Sequence, residues 1–457
     1  MTHTIAPLES LGRVHFIGIG GVGMSAVARI MVARGVPVSG TDAKDLPVMH
    51  DLASAGARIA VGYDALNLGD AQTVVAGSAI RADNPELAAA REAGLPVLHR
   101  SEALAATMAG HRVVTIAGTH GKSTTTSMVA VLLKEAGLDP SFAIGANVPA
   151  LGVNAAHGAS DIFVAEADES DGSFLNYRPL IAVVTNVEAD HLDHYGTADA
   201  VFASFDNYAA LLPADGVLLA CADDPGARAL AERTLSKGAT RVLTYGTVDD
   251  ADIRLTDDGP GAVSVALGGG VPYALDLQVP GRHNALNAAA AFGVAVELGV
   301  APAEAAAALA HFTGASRRFE LKGQGRGVRV YDDYAHHPTE VRAALSAARS
   351  VAGGKKVHVL FQPHLFSRTR EFAGDFAAAL DAADTALVLD IYPAREDPIP
   401  GVTSALISDQ LSHGRLVSAD DAVDALVTAA SDGDIVLTVG AGDVTAYGPV
   451  IVEALGG

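Results

Sequence analysis

Short runs of β-branched and aliphatic residues recur along the 457-residue chain, and alanine-rich stretches with helical spacing follow most of them. RVHFIGIG, VPVSGTD and QTVVAGSA form a first series. RVVTIAGT, DIFVAEAD, IAVVTNVE and GVLLACAD form a second, and VRVYDDYA, KVHVLFQP, TALVLDIY and DIVLTVGA a third. The runs are continuous rather than alternating, which predicts strands buried on both faces and hence parallel sheets covered by helices. Between the second and third series, ADIRLTDDGPGAVSVALGGGVPYALDLQVPG alternates and is rich in turn residues. It predicts antiparallel strands appended to the central sheet, before GRHNALNAAAAFGVAVELG starts a helix. The expected architecture is α/β in three domains: a Rossmann-like domain over 1–108, a central parallel-sheet domain over 109–315 and a Rossmann-like α/β domain over 316–457. No low-complexity segment interrupts it.

Composition narrows the function classes. Lys and Arg total 31 against 53 Asp and Glu, a net charge of −22. A field of that sign repels nucleic acid and anionic membranes, so an anionic substrate must be held by local basic groups. The single cysteine, Cys221, has no partner for an intramolecular disulfide, in keeping with a reducing cytosol. MTHTIAPLESLGR has neither a basic n-region nor an apolar core, and the alanine-rich stretch from Ala288 is broken by Glu297 and Glu304. The expectation is a cytoplasmic protein with no membrane span.

The first strand runs into GIGGVGMS, which fits G-x-G-x-x-G through Gly18, Gly20 and Gly23, and Asp42 follows at the end of the next apolar run. That is the fingerprint of a dinucleotide site, and by itself it suggests an oxidoreductase. The second series carries a stronger signal. VVTIA runs into GTHGKSTTT and then into an apolar helical pattern. Glycines let backbone amides converge on phosphate oxygens, a helix N-terminus adds positive potential, Lys122 brings a charge, and Ser123 offers a hydroxyl to Mg²⁺. Ile116 stands where the strict Walker A pattern has glycine, so the loop is a variant.

Two acidic clusters end neighbouring strands. Glu166 is followed by Asp168, Glu169 and Asp171; Asn186 is followed by Glu188, Asp190 and His191. Ligands of open α/β sheets bind beyond the carboxyl ends of the strands, so three strand ends can surround one Mg-nucleotide. Carboxylates suit Mg²⁺. His191 and His194 lack a thiolate or a third spaced histidine, which argues against zinc. Further polar groups lie at Arg282, His283, Asn284 and Asn287, at Arg317 and Arg318, at Asp332, Asp333, His336 and His337, and at His364, Arg368 and Arg370.

Taken in order, GIGGVGMS, AGTHGKSTTT, EADESDGSF, TNVEADHLDHYG, GRHNALNAAAA, RRFE, DDYAHHPTE and HLFSRTR resemble the Mur ligases, and within them the alanine-adding branch. The motifs span all three expected domains. The resemblance implies a UDP-substrate domain, a central P-loop ATPase domain and a C-terminal ligase domain. It implies that ATP, UDP-N-acetylmuramate and L-alanine give the amide, ADP and phosphate through an acyl phosphate, in peptidoglycan synthesis. Gly20, Gly21, Val22, Gly23, Met24 and Ser25 would then face the uridine diphosphate, with Asp42 and Ser78 as uridine contacts. Gly118, Thr119, His120, Gly121, Lys122, Ser123 and Thr124 would hold ATP, joined by Asn284, Asn287, Arg318 and Asp333. Ser123, Glu166 and His191 would hold metal, with Lys122, Glu166 and His191 as the catalytic groups. His364 and Arg368 would contact the muramate and the amino acid. YGTADAVFASFDNYAALL has no lysine where several sibling ligases carry a carbamoylated one. The alternatives are a ligase that adds a tripeptide in muropeptide recycling, a nicotinamide oxidoreductase and a non-catalytic UDP-sugar binder. A homodimer stays open.

Overall fold

The computed structural model describes residues 7–457 except 239, 260 and 395. Residues 1–6, part of the segment read for a targeting signal, lie outside the described residues. So does Pro260, in the turn-rich stretch. Three sheets carry the chain.

The first sheet contains β1 (Val14–Ile17), β2 (Val38–Asp42), β3 (Arg58–Val61), β4 (Thr73–Ala76) and β5 (Val97–His99), all parallel in the order β3-β2-β1-β4-β5. VHFI of β1 is wholly buried, as its unbroken apolar run predicts. β1 lies between β2 and β4, so the chain leaves it at a topological switch point, and GIGGVGMS stands there. A buried carboxylate braces this end of the sheet. Glu86 accepts from Thr41 Oγ1 at 2.6 Å and Asn67 Nδ2 at 2.9 Å, and pairs with His15 Nε2 at 3.2 Å. Burial opposes its charge, but these bonds outweigh burial and hold the carboxyl below its ordinary range.

The second sheet has ten strands. β6 (Arg112–Ala117), β7 (Ser141–Ala143), β8 (Ala155–Ala156), β9 (Ile162–Glu166) and β10 (Ile181–Val184) come first. β11 (Val217–Cys221), β12 (Arg241–Gly246), β13 (Ile253–Gly259), β14 (Ala262–Leu267) and β15 (Tyr273–Leu275) follow. Their order is β15-β14-β13-β12-β11-β10-β6-β9-β7-β8. The turn-rich stretch forms the expected antiparallel extension: β13 pairs parallel with β12, then β14 and β15 run antiparallel. β6 sits between β9 and β10, a second switch point.

The third sheet contains β16 (Glu320–Gly325), β17 (Val328–Asp333), β18 (Val357–Phe361), β19 (Thr385–Val388), β20 (Gly414–Leu416) and β21 (Ile435–Val439), in the order β16-β17-β21-β18-β19-β20. Only β16 is antiparallel to its neighbour. Every residue of β18 and β21 is buried. The chain packs as two compact units. One holds the first two sheets, and the other holds the third together with Gln278–Ala285. No helix among the described residues is long and apolar enough to cross a membrane.

Candidate active site

At the switch point of the second sheet, the helix Lys122–Glu135 starts with the lysine itself and is buried from Ser123 through Leu133. In its polar first turns, Thr126 Oγ1 donates to Lys122 O at 2.8 Å and Ser127 Oγ to Ser123 O at 2.6 Å. No acidic side chain occupies its first turn and no side chain caps it. The amides of its first turn and its dipole therefore face the loop Gly118–Gly121. That loop is pinned by the exit of β10. Asn186 Oδ1 accepts from His120 N at 2.7 Å, Asn186 Nδ2 donates to His120 O at 3.0 Å, and Thr119 Oγ1 accepts from Glu188 N at 2.9 Å. Gly118 has φ 137°, and a Cβ there would overlap the Thr185 hydroxyl. Gly121 has φ 83°, and a Cβ there would lie 2.9 Å from Asn287 Oδ1. The strand, glycine loop and helix read from the sequence are present; the helix N-terminus is uncapped and Asn287 lies beside Gly121.

Lys122 is enclosed. Its ammonium donates to Gly118 O at 2.6 Å, Thr119 O at 3.2 Å and Glu169 Oε1 at 2.8 Å. Burial works against its charge, but the carboxylates of Glu169, Asp168 and Glu166 prevail and raise its pKa. Glu166 ends β9 beside Ile116 of β6 and accepts from Gly145 N at 2.9 Å. Buried Ser123 and Glu166 thus stand on adjoining strand exits, an all-oxygen pair of the kind a hard divalent cation takes. His191, at φ 55°, has Nε2 3.6 Å from both Glu169 Oε1 and Asp190 Oδ2.

Glu169 is only 2% exposed, and its Oε2 has no hydrogen-bond partner among the described residues. The sequence placed it in an acidic cluster but gave it no role. A carboxylate three residues past a strand end, within an acidic run, was the available signal.

In the first sheet, Asp42 Oδ2 accepts from Gly20 N at 3.0 Å, tying the second strand end to the glycine loop. The helix Val22–Ala33 is capped by Gly21 and has no acid in its first turn; Met24 and Ser25 are buried in it. Arg100 was not foreseen. A Cβ on Gly23 would lie 3.0 Å from its guanidinium, so this cation lies over the helix start. Its signal was LPVLHRSEA, another strand end. Ser78 Oγ donates to Asp171 Oδ2 at 2.9 Å and meets His99 Nε2 at 3.0 Å. A nicotinamide site would use Asp42 for a ribose; a diphosphate needs the amides and the arginine. The reading as a UDP site predicts that UDP binds here and NADH does not, and that Gly23→Ala weakens UDP roughly tenfold by displacing the Arg100 guanidinium. Calorimetry with both nucleotides checks this, and NADH binding without UDP binding would reverse the assignment.

The third sheet positions its own groups. Asp333 ends β17 and accepts from Phe319 N and Ala335 N, both at 2.8 Å; burial pushes its carboxyl up to about 6. Arg318 lies over the Tyr334 ring at 5.2 Å. Arg317 is a structural pin: its guanidinium donates to Gly440 O at 2.6 Å and Gly442 O at 3.2 Å. The His364 ring stacks on Tyr392, with centroids 5.8 Å apart, and Arg368 is buried in the helix Phe366–Leu380. Burial drives His336 down to about 3 and His283 to about 4. Asn284 Nδ2 donates to Pro280 O at 2.6 Å.

Three family models match in succession: "Mur ligase family, catalytic domain" over residues 13–112, "Mur ligase middle domain" over 116–295 and "Mur ligase, glutamate ligase domain" over 317–442. The chain belongs to the Mur ligase family. Among curated Mur ligases, it is 88% identical over 457 residues to the UDP-N-acetylmuramate–L-alanine ligase of Paenarthrobacter aurescens, with all of both chains covered. Among solved Mur ligases, it is similar to the UDP-N-acetylmuramate–alanine ligase of Thermotoga maritima. That match has a TM-score of 0.79 and 30% identity over 97% of this chain and 98% of the other. A murein peptide ligase from Psychrobacter arcticus gives a TM-score of 0.73 and 26% identity over 97% of this chain and 99% of the other.

Proposed function

We infer that this Mur ligase joins L-alanine to UDP-N-acetylmuramate at the expense of ATP, in peptidoglycan synthesis. The observation that carries this reading is 88% identity along the whole chain to a UDP-N-acetylmuramate–L-alanine ligase. The reaction belongs in the cytoplasm, where ATP and nucleotide sugars are available. We assign the three units of function to 1–108, 109–315 and 316–457.

A carboxylate resists an amine because it is anionic and offers no leaving group. In the first step, a muramate carboxylate oxygen attacks the γ-phosphorus and ADP departs. In the second, the alanine nitrogen attacks the acyl carbon, loses its proton, and phosphate leaves with the former carboxylate oxygen. The protein's part is positioning and charge neutralisation. Lys122 neutralises the β/γ-phosphates, and the amides of Gly118–Thr124 surround them. Ser123 and Glu166, with His191, would hold Mg²⁺, which supplies further neutralisation of phosphate charge. Asp42, Ser78 and the amides of Gly20–Ser25 receive the uridine diphosphate. Asn284, Asn287, Arg318 and Asp333 complete the ATP site, and His364 and Arg368 receive the muramate and alanine.

One experiment tests both the acceptor and the route. UDP-N-acetylmuramate carrying ¹⁸O in its carboxylate is incubated with ATP and Mg²⁺, and either L-alanine or the tripeptide. L-alanine should support phosphate release, and each phosphate should carry a single ¹⁸O. Tripeptide-dependent release would make this a recycling ligase, and label in AMP would mean adenylylation.

A further inference from the structure

An ammonium has three donors, and all three of Lys122's are taken, by Gly118 O, Thr119 O and Glu169 Oε1. A phosphate reaches Lys122 only by displacing one of them. Glu169 is the anionic partner, so it is the one a phosphate replaces in kind. Its second oxygen is buried with no partner among the described residues. Once the lysine turns to phosphate, this carboxylate is left enclosed beside a growing negative charge, and its segment must shift.

That segment is tethered elsewhere. Asp168 faces Arg100 at 3.6 Å, and Arg100 lies over Gly23. Asp171 accepts from Ser78 at 2.9 Å and stands 3.7 Å from His99. Three carboxylates within four residues thus hold one group of the phosphate loop and three at the strand exits of the first sheet. Each occupies a group that an incoming anionic ligand would claim.

We propose that Asp168–Asp171 couples the two nucleotide sites: Glu169 occupies Lys122 until a triphosphate displaces it, and the shift releases Arg100, Ser78 and His99 for the nucleoside diphosphate sugar. Glu169 is a positioning residue, acting through Lys122. The proposal rests on the reading of Lys122 as the phosphate contact.

The test is calorimetry on the full chain, with Mg²⁺ and a non-hydrolysable ATP analogue, UDP-N-acetylmuramate, and each in the presence of the other. In the unaltered protein each ligand should tighten the other at least about fivefold. Glu169→Gln keeps the shape but weakens the hold on Lys122, so the analogue alone should bind at least about threefold more tightly. General damage to the site would weaken it instead. Asp171→Ala should leave the analogue's own affinity within about twofold and reduce the coupling below about twofold. Asp171 is 30% exposed, so this variant decides the matter even if Glu169→Gln does not fold. Absent coupling in the unaltered protein, weaker or unchanged analogue binding by Glu169→Gln, or full coupling in Asp171→Ala would each overturn the proposal. Lys122→Ala separates the two levels. If it binds the analogue as well as the unaltered protein does, the reading of the phosphate loop fails. If it loses affinity while Glu169→Gln changes nothing, only the coupling fails.

Discussion

Lys122→Ala should lower the ligation rate by on the order of a thousandfold or more. The Lys122 side chain is 14% exposed and its ammonium is aimed at the loop that would receive the triphosphate, so its charge acts where water screens little. The substitution has a second effect that must be separated from the first. It strands Glu169, 2% exposed, as a buried carboxylate without its cation. Removing one partner of such a pair costs on the order of 3 kcal/mol of stability. The double variant Lys122→Ala with Glu169→Gln relieves that cost without restoring the charge. It should melt close to the unaltered protein and remain inactive, as thermal denaturation and phosphate release would show. A double variant that regains more than about a tenth of the rate would remove Lys122 from phosphoryl transfer.

Gly118→Ala should lose at least about 2 kcal/mol of stability and on the order of a hundredfold in rate. Two independent features of the residue predict this. Its φ of 137° is one that side-chain-bearing residues rarely adopt, and the added carbon would collide with the Thr185 hydroxyl. That hydroxyl donates to His120 O at 2.5 Å, so the collision pushes on the same carbonyl that holds the loop closed. The expected signature is a lower melting temperature with the nucleotide affinity lost in parallel. Substitution at Gly137, where φ is 75° and no atom lies within 4 Å of the added carbon, controls for backbone strain alone. A Gly118→Ala enzyme that melts and turns over normally would show that the loop takes another conformation when it binds nucleotide.

What was legible in the sequence was whatever depends on neighbours along the chain. GTHGKST between an apolar run and an apolar helix specified its own loop, and β6, β9, β10 and β11 were visible because each is a continuous buried run. Several of the strands that escaped are short or lie toward the sheet edges. Arg58–Val61 is exposed at both ends, Val97–His99 is partly exposed throughout, and Ala155–Ala156 is two residues long. None has the apolar run that reveals a covered strand. The roles of Arg100 and Glu169 were equally hidden. Each is one charge among many in the sequence, and only folding places Arg100 over Gly23, 77 positions away, or Glu169 on Lys122, 47 positions away. The antiparallel stretch before β15 was foreseen because alternation and turn residues are local signals.

The supports of the phosphate loop also set an order of assembly. His120 is held by Asn186, 66 residues downstream, and by Thr185 beside it. A nascent chain that has left the ribosome only as far as the helix Lys122–Glu135 contains every residue of the loop but none of these braces. β10, which brings them, pairs with β6 at the middle of the sheet, so the loop takes shape only when that late strand docks. Unfinished chains therefore carry the full phosphate-binding motif without a formed site.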